Sequence, residues 1–130
     1  MLIGGVCYYM KLQNSFKSEF RNKKILITGG TGSIGIGLIK QLLPYKPKII
    51  KVFTNDENSI FESIRKFGKN PVIDYEMGDV RDKERLDFVI RGIDIVFHAA
   101  AMKHVDICEE NPFDAVKTND IGTSNIIESC

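Results

Sequence analysis

The sequence has 130 residues, 43% of them hydrophobic, with a formal net charge of +1, a composition that suits one globular domain with a buried core. Acids and bases alternate, as in RDKERLD (residues 81–87), which excludes the basic stripe of a nucleic-acid partner. Cys7, Cys108 and Cys130 have neither C-x-x-C spacing nor a histidine at ligand spacing, so they read as reduced thiols of a cytoplasmic protein with no metal site.

The N-terminal MLIGGVCYYM is apolar, but it lacks a basic leader and a cleavage site and is half the ~20 residues that cross a bilayer. Residues 1–23 therefore read as an extension, neither a targeting signal nor a membrane span, or as sequence upstream of a true start at Met10. From Lys24 the pattern turns regular. Apolar β-rich runs at 24–28 (KILIT), 48–53 (KIIKVF), 72–77 (VIDYEM) and 93–99 (IDIVFHA) alternate with segments of helical period. The first helix is expected to start near Ser33, bury Ile34, Leu38, Ile39 and Leu42, and stop at Pro44. The second carries Ile60, Phe61, Ile64 and Phe67, with Gly68 as a left-handed C-cap. The third places Leu86, Val89 and Ile90 on one stripe and ends at Gly92. A fourth runs from Pro112, suited to a first helical turn, to the end of the chain. Right-handed helical crossovers make the strands parallel, so the fold class is α/β, a Rossmann-type doubly wound sheet cut off after about four strands.

Five glycines fall within the nine positions from Gly29 to Gly37, where the first strand gives way to its helix. Gly29-x-x-Gly32-x-x-Gly35 at such a junction turns the backbone sharply and brings a pyrophosphate to free N–H groups at the helix start. A side chain at Gly32 would hold a phosphate off the backbone, and one at Gly35 would push the helix off the strand. Gly30, Thr31, Ser33 and the amide of Ile34 complete the candidate cradle. Asp56, 21 residues after Gly35, stands where an acid meets the 2′-hydroxyl of NAD, while an arginine there would favour NADP. The stretch offers Asp56 and Glu57 and no arginine before Arg65. Asp56 is equally suited to cap the second helix. Asp79 in GDVRD (78–82) can meet the adenine amino group or serve as a plain loop acid.

ILITGGTGSIG, GDVRDKERL, VFHAAAMKHV and ENPFDAVKTNDIGTSNII together resemble an extended short-chain dehydrogenase/reductase of the CapD-like polysaccharide-biosynthesis group, and most nearly its inverting UDP-N-acetylglucosamine 4,6-dehydratases. The resemblance covers residues 23–130. It implies that Gly29, Gly30, Thr31, Gly32, Ser33, Ile34 and Gly35 hold the pyrophosphate of NAD or NADP. Thr54, Asn55 and Asp56 would serve the ribose, Asp79 and Val80 the adenine, and Ala99, Ala100 and Ala101 the nicotinamide side. Lys103 would reach a cofactor ribose or a substrate oxygen, and Asn119 would support the active-site backbone. His98 and His104 read as packing or hydrogen-bonding residues rather than acid–base groups. The implied reaction oxidises carbon 4 of a UDP-linked sugar, removes water across carbons 5 and 6, and returns the same hydride to carbon 6.

The family's Tyr-x-x-x-Lys pair is absent from these residues. Tyr8, Tyr9, Tyr45 and Tyr75 are followed four positions on by Leu12, Gln13, Ile49 and Asp79. The sequence thus reads as an extension (1–23) and an incomplete NAD(P)-binding domain (24–130), with no catalytic residue of its own. The complete enzyme would take a nucleotide sugar and form a homo-oligomer, without membrane or nucleic acid. A fragment of a nucleotide-sugar epimerase or reductase, a non-catalytic NAD(P)-binding module and a gene remnant are the other readings.

Overall fold

The computed structural model describes residues 18–101, 109, 110 and 112–130; Cys7, Met10, Tyr8, Tyr9, Lys103, His104 and Cys108 lie outside them. Four strands, β1 (Lys24–Thr28), β2 (Ile49–Thr54), β3 (Ile73–Met77) and β4 (Ile95–His98), form one sheet in the order β3-β2-β1-β4. Every neighbouring pair is parallel, as the crossover helices require. The strands fall within a residue or two of the runs in the sequence.

Helices α1 (Ser33–Leu42), α2 (Glu57–Phe67) and α3 (Lys83–Ile90) make the crossovers. Side chains alternate across β1, so Ile25 and Ile27 join Ile39 and Leu42 of α1 on one face, while Leu26 joins Leu86, Val89 and Ile90 of α3 on the other. Ile25, Leu26 and Ile27 are wholly buried, each contributing about 1.5–3 kcal/mol. The sheet is thus covered on both faces, as expected of a doubly wound fold.

Both α2 and α3 begin at side-chain caps. Asp56 Oδ1 accepts from the N–H groups of Asn58 and Ser59 at 3.0 and 3.3 Å, and Asp82 Oδ1 accepts from the N–H of Arg85 at 3.0 Å.

The helix faces differ from expectation at two apolar positions. Ile34 is 57% exposed, because the buried stripe of α1 is Gly35, Ile39 and Leu42, and Ile34 stands one position off it. Phe61 is 61% exposed for the same reason: α2 turns Ile60, Ser63, Ile64 and Phe67 inward. Ser63 is buried and hydrogen-bonds Tyr75 of β3 at 2.8 Å. Gly68 follows α2 at φ 68° and ψ −168°, a conformation open to glycine but not the left-handed helical cap expected.

The final segment is not one regular helix. It runs as α4 (Pro112–Val116), a π-helical turn over Lys117–Ile121, and α5 (Gly122–Ser129). Ile126 of α5 joins the α3 core, and a Cβ on Gly122 would lie 2.6 Å from Val80 Cγ2, so α5 sits directly on the loop after β3. No helix among the described residues is long and apolar enough to cross a membrane.

Candidate functional site

After β1 the chain moves outward through β2 and β3, then returns to add β4 on the other side of β1. That reversal leaves a crevice beyond the carboxyl ends of the strands, the place where open α/β sheets take ligands. A cleft of about 860 Å³ lies there, lined from all four strand ends.

The turn after β1 forms its floor. Gly29 adopts φ +63°, and a Cβ there would stand 2.8 Å from the backbone of Ala100, so the turn lies against the chain leaving β4. Its N–H donates to the Phe53 carbonyl at 2.8 Å, and the Gly32 N–H donates to the Gly29 carbonyl at 3.1 Å. Gly35 packs on Gly30: a Cβ at Gly35 would fall 2.3 Å from Gly30 Cα. The close approach is therefore between helix and turn, not between helix and strand as the sequence implied. Gly32 caps α1 without a side-chain hydrogen bond and is exposed to the cleft. The first-turn N–H groups that follow have no acceptor within the helix, an arrangement suited to an anion.

At the tip of β2, Thr31 Oγ1 donates to Thr54 Oγ1 at 3.2 Å and accepts from Ser59 Oγ at 2.8 Å. The Thr31 hydroxyl thus ties the glycine turn to β2 and α2. Asp56 is both a cap and a cleft-lining residue; the two capping bonds fall on Oδ1.

Beyond β3, Arg81 closes on Asp79. Its guanidinium lies 2.6 Å from Asp79 Oδ2, its Nε lies 3.0 Å from both oxygens, and its backbone N–H donates to Oδ1 at 2.9 Å. Arg81 also reaches Asp114 of α4 at 3.2 Å, and Asn55 Nδ2 donates to Asp79 Oδ2 at 3.4 Å. The Arg81 hydrogen bonds hold the Asp79 carboxyl below its ordinary range, against the opposing effect of burial.

On the far side Ala99, Ala100 and Ala101 line the cleft with small side chains. Behind them His98 bridges β1 and the final segment, with Nδ1 at 2.6 Å from Thr28 Oγ1 and Nε2 at 3.0 Å from Thr123 Oγ1. Thr123 donates to the Asn119 carbonyl and so accepts from Nε2–H; Nδ1 then accepts from Thr28, whose oxygen takes the Ala100 N–H at 3.4 Å. This sequence of bonds suits a neutral imidazole, the form that burial favours by lowering the His98 pKa. A histidine held neutral contributes stability in full above its unfolded pKa, and loses it as pH falls toward the lower folded value. The urea midpoint is therefore expected to drop between pH 7.5 and 5.5, and His98→Asn to flatten that slope. An unchanged slope in the variant would remove His98 as the titrating group.

Of the residues picked out from the sequence, Gly29, Thr31, Gly32, Ser33, Thr54, Asn55, Asp56, Asp79, Val80, Ala99, Ala100 and Ala101 come together along the cleft. Gly30 and Gly35 lie buried against one another, and Ile34 and Asn119 are not in the lining; Lys103 is outside the described residues. Ser59, Arg81, Asp114 and Thr118 also line the cleft and were not anticipated. Their signals were present: Ser59 is one turn into the helix Asp56 caps, Arg81 is inside GDVRD, and Asp114 and Thr118 are four apart on one segment. No cluster of potential metal ligands occurs among the described residues.

Sheet order, glycine turn and cleft position define a Rossmann-type α/β chain. Residues 25–130 match the family described as Polysaccharide biosynthesis protein, and the chain belongs to it. It is 51% identical over 112 residues to an inverting UDP-N-acetylglucosamine 4,6-dehydratase of Campylobacter jejuni, covering 85% of this chain and 33% of that protein. Among solved structures it resembles Pen from Bacillus thuringiensis, with a TM-score of 0.81 and 44% identity over 85% of this chain and 34% of that one. It also resembles a dTDP-glucose 4,6-dehydratase from Streptomyces venezuelae solved with NAD bound, at a TM-score of 0.73 and 28% identity, covering 82% of this chain and 35% of that one. The chain spans about a third of the length of the curated relatives it matches.

Proposed function

We propose that residues 24–130 are the NAD(P)-binding portion of a nucleotide-sugar 4,6-dehydratase of the UDP-N-acetylglucosamine type, acting in surface polysaccharide or glycan biosynthesis. The observation that carries this reading is the glycine-floored cleft at the sheet's reversal point, in a chain half identical to such a dehydratase. The donor set fits the group. The exposed start of α1, with no acid in its first turn, suits a pyrophosphate, and a wall of three alanines leaves room for a planar ring.

In this reading Gly29 and Gly32 shape the turn, and the N–H groups of Ser33 and Ile34 meet the pyrophosphate. Gly30 and Gly35 hold the helix against the turn, with Thr31 bracing it. Thr54, Asn55 and Asp56 orient the adenosine ribose; Asp79 and Val80 flank the adenine; Ala99 to Ala101 line the nicotinamide side. Lys103 reaches the cofactor ribose or a substrate oxygen, and Asn119 supports the active-site backbone. When bound, the nicotinamide supplies reversible hydride transfer at the sugar. The complete protein is read as a cytoplasmic homo-oligomer that takes a nucleotide-linked sugar.

Titration of the full chain with NADH and NADPH, followed by nicotinamide fluorescence, is expected to saturate with at least one of them. Absence of saturation with both would overturn the reading. Given UDP-N-acetylglucosamine and cofactor, the 130-residue chain is expected to yield no 4-keto-6-deoxy product, since the family's Tyr-x-x-x-Lys pair is not within it. Turnover by this chain, or a sugar altered only in configuration at carbon 4, would refute that assignment.

A further inference from the structure

We propose that His98 is a positioning residue for the β4 side of the cleft: through Thr28 and Thr123 it holds the alanine wall and the π-helical turn in one arrangement. The inference rests on the dinucleotide reading above and deepens it, by naming what sets the wall against which the nicotinamide end would lie. His98 is not itself among the cleft-lining residues.

A dinucleotide whose adenosine meets the tips of β2 and β3 has its other end on the far side of β1. That side is built from two stretches distant along the chain, Ala99 to Ala101 beyond the end of β4 and Thr118 of the π-helical turn. The first has left its strand, and the second is the kind of irregularity inside a helix that is frequent at functional sites. His98 joins them. From the Ala100 N–H the bonds run to Thr28 Oγ1 and His98 Nδ1, then from Nε2 to Thr123 Oγ1 and on to the carbonyl of Asn119, the residue after Thr118. Thr28 is wholly buried, so a ring unable to bond there would leave its hydroxyl without that partner and let the Ala100 amide shift. The seat of α5 does not depend on these bonds: Ile126 lies in the α3 core, Gly122 rests on Val80, and Asn125 Nδ2 donates to the Val80 carbonyl at 3.1 Å. Cutting the connection at His98 therefore loosens the cleft wall while the fold stands.

The test is a calorimetric titration of the full chain with NADH and with ADP-ribose, which carries the adenosine and pyrophosphate but lacks the nicotinamide. The unaltered chain is expected to bind NADH the tighter. His98→Phe keeps an aromatic ring and loses both bonds; Thr123→Val, at a half-buried position, loses one with little change of shape. Each is expected to weaken NADH by about five- to tenfold, the effect of one or two hydrogen bonds, with ADP-ribose changed by less than about twofold. Thr123→Ser returns the hydroxyl and is expected to restore the ratio. Should His98→Phe not fold, Thr123→Val decides alone. Equal weakening of both ligands would mean structural support only, and unchanged affinity for both would mean no role; either overturns the inference. Equal affinity of the unaltered chain for the two ligands also overturns it while leaving the dinucleotide reading intact, and binding of neither overturns both.

Discussion

Gly32→Asp is expected to abolish dinucleotide binding, by more than about a hundredfold in affinity, while leaving the fold at least as stable as before. The two effects separate because of where Gly32 sits. Its backbone, at φ −73° and ψ 173°, is extended and open to any residue, and an added Cβ would meet only the Gly29 carbonyl oxygen at 3.4 Å. Gly32 caps α1 with no side chain to offer, and aspartate is among the best residues for that position, so stability should rise by about 0.5 kcal/mol. The same carboxylate would sit on the N–H groups proposed to meet the pyrophosphate, adding a negative charge to that position. Cofactor titration and urea denaturation of the same preparation check both halves. Affinity unchanged in a folded variant would mean that the α1 start is not the phosphate seat.

Gly35→Ala should have the opposite character, a loss of about 2–3 kcal/mol of stability where helix propensity alone predicts a gain of about 1 kcal/mol. The new methyl carbon would lie 2.3 Å from Gly30 Cα and 2.5 Å from its carbonyl carbon and oxygen. Those are backbone atoms, and the turn cannot retreat: Gly30 itself backs onto Val52, and Gly29 onto Ala100. Gly37→Ala is the control in the same helix, since nothing lies within 4 Å of its Cβ position. There propensity should act unopposed and the urea midpoint should rise. Similar shifts for the two variants would show that α1 can slide away from the turn.

Much of this architecture was legible in the sequence because its signals are local. The runs KILIT and KIIKVF are short and apolar, helical periods separate them, and the glycines mark where one gives way to the other. What was not legible depends on contacts distant along the chain. The stripe of α1 is set by Gly35 against Gly30, which leaves Ile34 outside although its apolarity placed it within. Ser63 faces inward because Tyr75, on another strand, satisfies its hydroxyl. The π-helical turn at Lys117–Ile121 leads into α5, whose Gly122 is seated on Val80 and whose Thr123 bonds to His98, contacts that periodicity cannot register. Within the cleft, spacing marks the glycines and the β2 tip, whereas nothing local marks Arg81, since an arginine two residues after an aspartate looks like ordinary surface charge. Its fork on Asp79 is local to the loop after β3, while its reach to Asp114 arises only once α4 lies beside that loop.

The glycine turn is fixed from both sides, with Gly29 against Ala100 and Gly35 against Gly30, and the Gly29 and Gly32 amides are bonded to the Phe53 and Gly29 carbonyls. Five glycines in nine positions would form one of the floppiest stretches of an unfolded chain, yet at Gly29, Gly30 and Gly35 neighbouring atoms crowd the backbone and leave it little freedom. The entropy of ordering that stretch is therefore lost at folding rather than at ligand capture, so association meets a preorganised surface and keeps a larger share of its contact energy as affinity.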